Sequence, residues 1–156
     1  MEKAVNNTYR FERKLVISSH QYKDLIFLFK SRGFNQLYPE RNICNIYLDD
    51  LNYHSYFDNI DGSNKRLKHR IRWYGNLFGS IKKITLEQKI KSGTVGKKIN
   101  FKIEKEFLFS NNLNYIQLTI LVRSILSGLK NKIFSSLLYP TSINTYTRSY
   151  YSDPLS

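Results

Sequence analysis

Lys65-Arg66-Leu67-Lys68-His69-Arg70-Ile71-Arg72-Trp73-Tyr74 decides how the rest of the chain is read. Arg66, Lys68, Arg70, Arg72 and Tyr74 occupy every second position, and Leu67, Ile71 and Trp73 fall between them. A period of two belongs to a β-strand, whose successive side chains point to opposite faces. The stretch therefore predicts a strand with one apolar and one cationic face. No acidic residue interrupts the cationic set. Like charges repel across neighbouring strands, so an ordinary solvent face mixes both signs.

Other stretches repeat the design. Ile84 to Lys91 sets Ile84, Leu86 and Ile90 against Glu87, Lys89 and Lys91. Lys97 to Phe109 sets Ile99, Phe101, Ile103 and Phe107 against Lys98, Asn100 and Lys102, and reads as one continuous strand. Thr8 to Ile17 sets Tyr9, Phe11, Leu15 and Ile17 against Arg10, Glu12 and Lys14. Ser92-Gly93-Thr94-Val95-Gly96-Lys97 lacks the spacing of a nucleotide phosphate loop and reads as a hairpin connection. Asn42 to Asp49 and Ser142 to Tyr151 complete the strands.

Two helices flank them. One starts at a Ser18 or Ser19 cap and ends near Gly33, with Tyr22, Leu25, Ile26 and Phe29 at helical spacing. The other runs from about Asn114 to Leu129 on Leu118, Leu121, Val122, Ile125 and Leu126. Leu51 to Gly62 reads as a polar, aromatic connection turning at Asp61-Gly62. The expected class is α+β with a mostly antiparallel sheet.

The length, 156 residues, suits a single domain with its own core, and 41% hydrophobic content excludes global disorder. Twenty-five Lys and Arg against twelve Asp and Glu give a formal charge of +13. That surplus attracts polyanions: nucleic acid, anionic lipid or a chain of phosphates. One cysteine, Cys44, permits no internal disulfide. The best apolar run, Tyr115 to Leu129, is broken by Gln117 and Arg123, short of the roughly 20 residues of a membrane span. No apolar leader opens the chain, so the expected location is cytoplasmic. His20, His54 and His69 form no zinc pattern with the lone cysteine.

The cationic faces allow two readings. One is a half-buried sheet with a solvated charged side. In the other the sheet curls so that the charges point inward, which demands an anion to compensate them. A triphosphate or polyphosphate supplies that compensation through charge-assisted hydrogen bonds.

At several of these stretches the chain resembles a polyphosphate-polymerase (VTC-type) domain of the triphosphate tunnel, CYTH-like superfamily. Arg10-Phe11-Glu12-Arg13-Lys14 is similar to the opening ExExK strand, with Arg10 in place of its first glutamate. Asn45-Ile46-Tyr47-Leu48-Asp49-Asp50 resembles the "YFD" strand, and Arg70-Ile71-Arg72-Trp73-Tyr74-Gly75 is the most specific match. Leu86-Glu87-Gln88-Lys89, Lys98-Ile99-Asn100-Phe101 and Tyr146-Thr147-Arg148 follow in the family's order, with Asn100 replacing a common basic residue.

The resemblance implies an incomplete tunnel barrel over residues 1–156, one domain lacking the C-terminal strands. It also implies transfer of the γ-phosphate of ATP to polyphosphate, aided by Mn2+ or Mg2+. By the same resemblance Lys14, Arg70, Arg72 and Lys89 would be catalytic, and Lys98, Arg148, Arg10 and Lys91 would bind substrate. Glu12 and Glu87 would orient these cations or hold metal. A second chain completing the barrel is an implied partner. A polyanion-binding module without turnover is the alternative. Nucleic-acid binding is disfavoured because Tyr9, Phe11, Trp73, Phe101 and Phe107 fall on the apolar parity.

Overall fold

The computed structural model describes residues 13–127 and 137–153. In chain order the elements are α1 (Ser19–Ser31), β1 (Asn35–Asp49), α2 (His54–Ile60), β2 (Lys65–Tyr74) and β3 (Gly79–Ile81). Next come β4 (Ile84–Ser92), β5 (Val95–Ile103), β6 (Phe107–Phe109), α3 (Tyr115–Ser127) and β7 (Tyr139–Ser152). Five strands form an open sheet in the order β5-β4-β2-β1-β7, and β3 pairs separately with β6. The fold is α+β, and no closed barrel forms among the described residues.

The alternation in β2 sets the sheet. His69, Ile71 and Trp73 are buried on one side, while Arg66, Lys68, Arg70 and Arg72 lie on the other. β2 runs antiparallel to β1, with Ile46 opposite Ile71, and to β4, with Leu86 opposite Ile71. β4 runs antiparallel to β5, where Leu86 faces Phe101. Gly93 opens the two-residue β4–β5 loop at φ 57°, a left-handed conformation that glycine adopts without a Cβ penalty. Hydrogen-bonded pairs Asn42–Thr147 and Cys44–Thr145, through side chains, and Thr141 hydroxyl to Tyr47 carbonyl run in opposite senses, so β7 is antiparallel to β1.

The apolar side of the sheet carries the core. Cys44, Ile46, Leu48, Ile71, Trp73, Ile84 and Leu86 pack with Leu118, Val122 and Ile125 of α3 and with Ile81, Phe107 and Phe109 of the small ribbon. Each fully buried aliphatic side chain contributes about 1.5–3 kcal/mol. Trp73 donates its indole N–H to the Asn76 carbonyl at 2.9 Å and meets Phe109 edge-on at 5.5 Å. The apolar side of the sheet is thus packed, and the charged residues lie on the opposite side.

The described residues fall into two compact units, one within Met1–Tyr38 and Tyr150–Ser156, the other within Pro39–Ser149. In the first, Ser18 caps α1: its hydroxyl accepts from the Gln21 N–H while the Gln21 side chain accepts from the Ser18 N–H. Phe29 stacks on Phe34 and tilts against Tyr151. α1 buries none of its residues completely.

Several expectations are corrected. The strand expected over Thr8 to Ile17 lies partly outside the described residues, and its described part, residues 13–17, is not a strand. Leu15 and Val16 are exposed there, with no ladder to fix them. The single strand expected over Lys97 to Phe109 is two, interrupted at residues 104–106, because β5 pairs with β4 and β6 with β3. The connection Leu51 to Gly62 contains a helix, α2. That helix forms because Asp49 and Asp50 satisfy its first backbone donors. The Asp49 carboxylate accepts from the N–H groups of Asp50, Ser55 and Tyr56, and Asp50 from those of Asn52 and His54. β1 begins at Asn35 and β7 spans Tyr139–Ser152, both longer than their sequence patterns suggest.

Candidate anion site on the cationic face

The site lies on the side of the sheet opposite the apolar core, within Pro39–Ser149. Register places the cations in rows across β2, β4 and β5: Lys68–Lys89–Lys98, Arg70–Glu87–Asn100 and Arg72–Thr85–Lys102. Arg66 faces Lys91 one step further along. The first row sets three lysines opposite one another in register, like charges whose juxtaposition costs stability.

Glu87 is the centre. Its Oε2 receives Nε and Nη2 of Arg70, while its Oε1 receives Arg72 Nη1 at 3.2 Å and Lys98 Nζ at 2.8 Å. Side-chain exposure rises outward, from 6% at Glu87 through 9% at Arg72 and 24% at Arg70 to 46% at Lys98. The carboxylate is therefore the floor, and the cations lie between it and solvent. Burial alone would raise the Glu87 carboxyl. The Lys98 hydrogen bond and the charges of Arg70 and Lys98 outweigh burial and hold it below its ordinary value of 4.5.

Uncharged partners extend the network. Arg72 Nε donates to Asn45 Oδ1 at 3.1 Å and Arg72 Nη2 to the Tyr146 hydroxyl at 3.4 Å. Arg70 Nη1 donates to the Tyr47 hydroxyl at 3.5 Å. Asn45 Nδ2 donates to Asn144 Oδ1 at 2.9 Å, which ties β7 to β1 beneath the guanidinium of Arg72. These four residues are absent from the sequence-derived set. The signal was available: Asn45 and Tyr47 stand two apart in β1, opposite Arg72 and Arg70.

Of the residues singled out from sequence, the structure gathers Arg70, Arg72, Glu87 and Lys98, with Lys89 beside Lys98. Lys91 lies further along β4, opposite Arg66. Arg148 is on β7 with its guanidinium 5.3 Å from the Tyr146 ring, on the parity of Asn144 and Tyr146. Lys14 is exposed in the other unit, and Arg10 and Glu12 lie outside the described residues. A concavity of about 570 Å³ is lined by Lys65, Arg66, Leu67, Gln88, Ile90 and Lys91 among others, but not by Arg70, Glu87 or Lys98. The concavity takes in the Arg66–Lys91 pair at one end of the cationic rows, while the charges that converge on Glu87 lie outside it.

The described residues do not fit a protein-held Mn2+ or Mg2+. Both oxygens of Glu87 are engaged by cations, and no three His, Cys, Asp or Glu side chains group as donors among the described residues. A hard divalent ion needs several oxygen ligands, whereas this cluster presents N–H donors.

An antiparallel sheet, apolar and helix-covered on one side and carrying braced Arg and Lys on the other, defines an α+β protein with a cationic sheet face. The chain belongs to the VTC-domain family, whose model matches residues 9–155. VTC domains have the CYTH-like tunnel fold. A search of curated proteins finds no match.

Proposed function

We propose that the cationic face holds a chain of phosphates, as the triphosphate of ATP or as polyphosphate, and serves polyphosphate synthesis. The family context is polyphosphate polymerisation. The observation that carries the reading is the convergence of Arg70, Arg72 and Lys98 on a single carboxylate, beside the Lys68–Lys89–Lys98 row. Three cations against one carboxylate leave a positive excess in a half-buried place, which an anion relieves. Spare N–H donors on Arg70 and Lys98 point the chemistry toward phosphate oxygens.

In phosphoryl transfer a terminal oxygen of the growing chain attacks the γ-phosphorus of ATP, a new P–O–P bond forms and ADP leaves. Such a step needs positioning and charge stabilisation more than covalent help, which Arg70, Arg72, Lys89 and Lys98 would provide. Among the described residues β5 and β7 are the edges of the sheet, and a second chain adding a strand there is part of this proposal. A cytoplasmic location, where ATP is present, suits the reading. Among the described residues no helix is long and apolar enough to cross a membrane.

Incubation with ATP and short polyphosphate, with and without Mn2+, tests turnover. Chain growth lost in Arg70→Ala supports polymerisation. Binding without growth supports a module that holds polyphosphate without turnover. Against nucleic-acid binding, Trp73 and Phe107 are in the core and cannot stack on bases, whereas Tyr74, exposed on the cationic parity, could; the comparison with RNA decides between them.

A further inference from the structure

We propose that Glu87 is a built-in counter-anion, which keeps the cation cluster folded while empty and competes with phosphate for it. The inference rests on the reading of this face as a phosphate site. It concerns how the empty site survives and what sets its affinity.

Glu87 is 5% exposed and lies under the three groups that would otherwise repel one another. It spans two adjacent strands directly: it is the register partner of Arg70 on β2 and of Asn100 on β5. Asn100, the neutral residue of that row, leaves the place from which Lys98 reaches back to Oε1. Arg70 and Lys98 are the most exposed cations of the cluster, 24% and 46%, so an arriving phosphate meets them first. The positive charge those cations offer a phosphate is already partly neutralised by Glu87, and phosphate and carboxylate repel one another across them. A carboxylate in this position weakens binding and protects the empty fold at the same time.

The alternative is purely geometric, with Glu87 only aiming the cations. The two predict opposite signs for Glu87→Gln, which keeps shape and removes charge. As a counter-anion, its loss lowers the melting temperature of the empty protein by several degrees. It also tightens tripolyphosphate binding roughly tenfold, within the coupling range of groups sharing one network. The ligand-induced thermal shift is then larger in Glu87→Gln than in the wild type. A double variant, Glu87→Gln with Lys98→Met, removes one charge of each sign and regains most of the lost melting temperature.

Thermal melts of these proteins, with and without tripolyphosphate, decide the matter. If Glu87→Gln folds only when tripolyphosphate is present, the proposal is supported in its strongest form. Weaker binding by Glu87→Gln, or a double variant no more stable than Glu87→Gln alone, overturns it and leaves a geometric role. A wild type that gains no stability from tripolyphosphate sinks the phosphate-site reading itself, and this inference with it.

Discussion

Replacing Arg72 with lysine keeps the charge and removes the fork. Arg72 is 8% exposed and uses three nitrogens on three partners: Nε on Asn45, Nη1 on Glu87 and Nη2 on Tyr146. A lysine ammonium at the same Cβ is a single point, so it cannot reach Asn45 and Tyr146 while holding Glu87. Asn45 is fully buried, and its Oδ1 loses its guanidinium donor. A buried acceptor left unsatisfied costs about 1–3 kcal/mol, and the weakened bond to Glu87 adds to it, for a total of about 2–4 kcal/mol. At roughly 2–4 °C per kcal/mol for a chain of this size, the melting temperature falls on the order of 4–16 °C. Thermal melts followed by circular dichroism, with urea titrations alongside, measure it. A variant within about 0.5 kcal/mol of wild type, the scatter of an ordinary surface change, refutes the view that Arg72 is a structural brace.

Lys89→Ala relieves the lysine row; at low ionic strength it stabilises the empty protein by about 0.2–1 kcal/mol, a gain that vanishes near ~0.5 M salt, read from urea titrations at both. Asp49→Ala leaves the Asp50, Ser55 and Tyr56 N–H groups without their acceptor and loosens α2, costing about 2 kcal/mol by denaturant titration and raising amide exchange at residues 54–60. Burial holds His69 below its ordinary 6.5, only partly opposed by the charge of Asp49. The unfolded chain then binds a proton that the folded one refuses, so this contribution is present above 6.5 and is lost as pH falls from there toward the lower folded value. Unfolding free energy measured between pH 8 and pH 5 carries this slope, and His69→Gln flattens it.

The strands of the sheet were legible where one face is apolar and the other charged. β2 matches its pattern from Lys65 to Tyr74, and β4 nearly so, because their alternation is set by a core on one side only. α2 was hidden because its cause lies outside it, in the carboxylates of Asp49 and Asp50 at the end of the preceding strand. β3 and β6 are three residues each, too short for any period, and exist because they pair with one another. In the site, charge made Arg70, Arg72 and Lys98 visible. Asn45, Tyr47 and Asn144 carry no charge, and only the register of three strands shows that they meet the guanidiniums. The role of Glu87 was open between metal and cation partners; its two oxygens, filled by Arg and Lys, favour the cations.

The central claim is that this face recognises a phosphate chain. Calorimetric titration with tripolyphosphate, beside an RNA of equal charge, tests it most directly on the wild type, Arg70→Ala and Lys98→Met. The account predicts saturable binding preferring tripolyphosphate, independent of added divalent metal, and weakened at least tenfold in each variant, the worth of one charged hydrogen bond. Equal affinity for RNA, or binding that survives both substitutions, would contradict it and reduce the cationic face to a solvated surface.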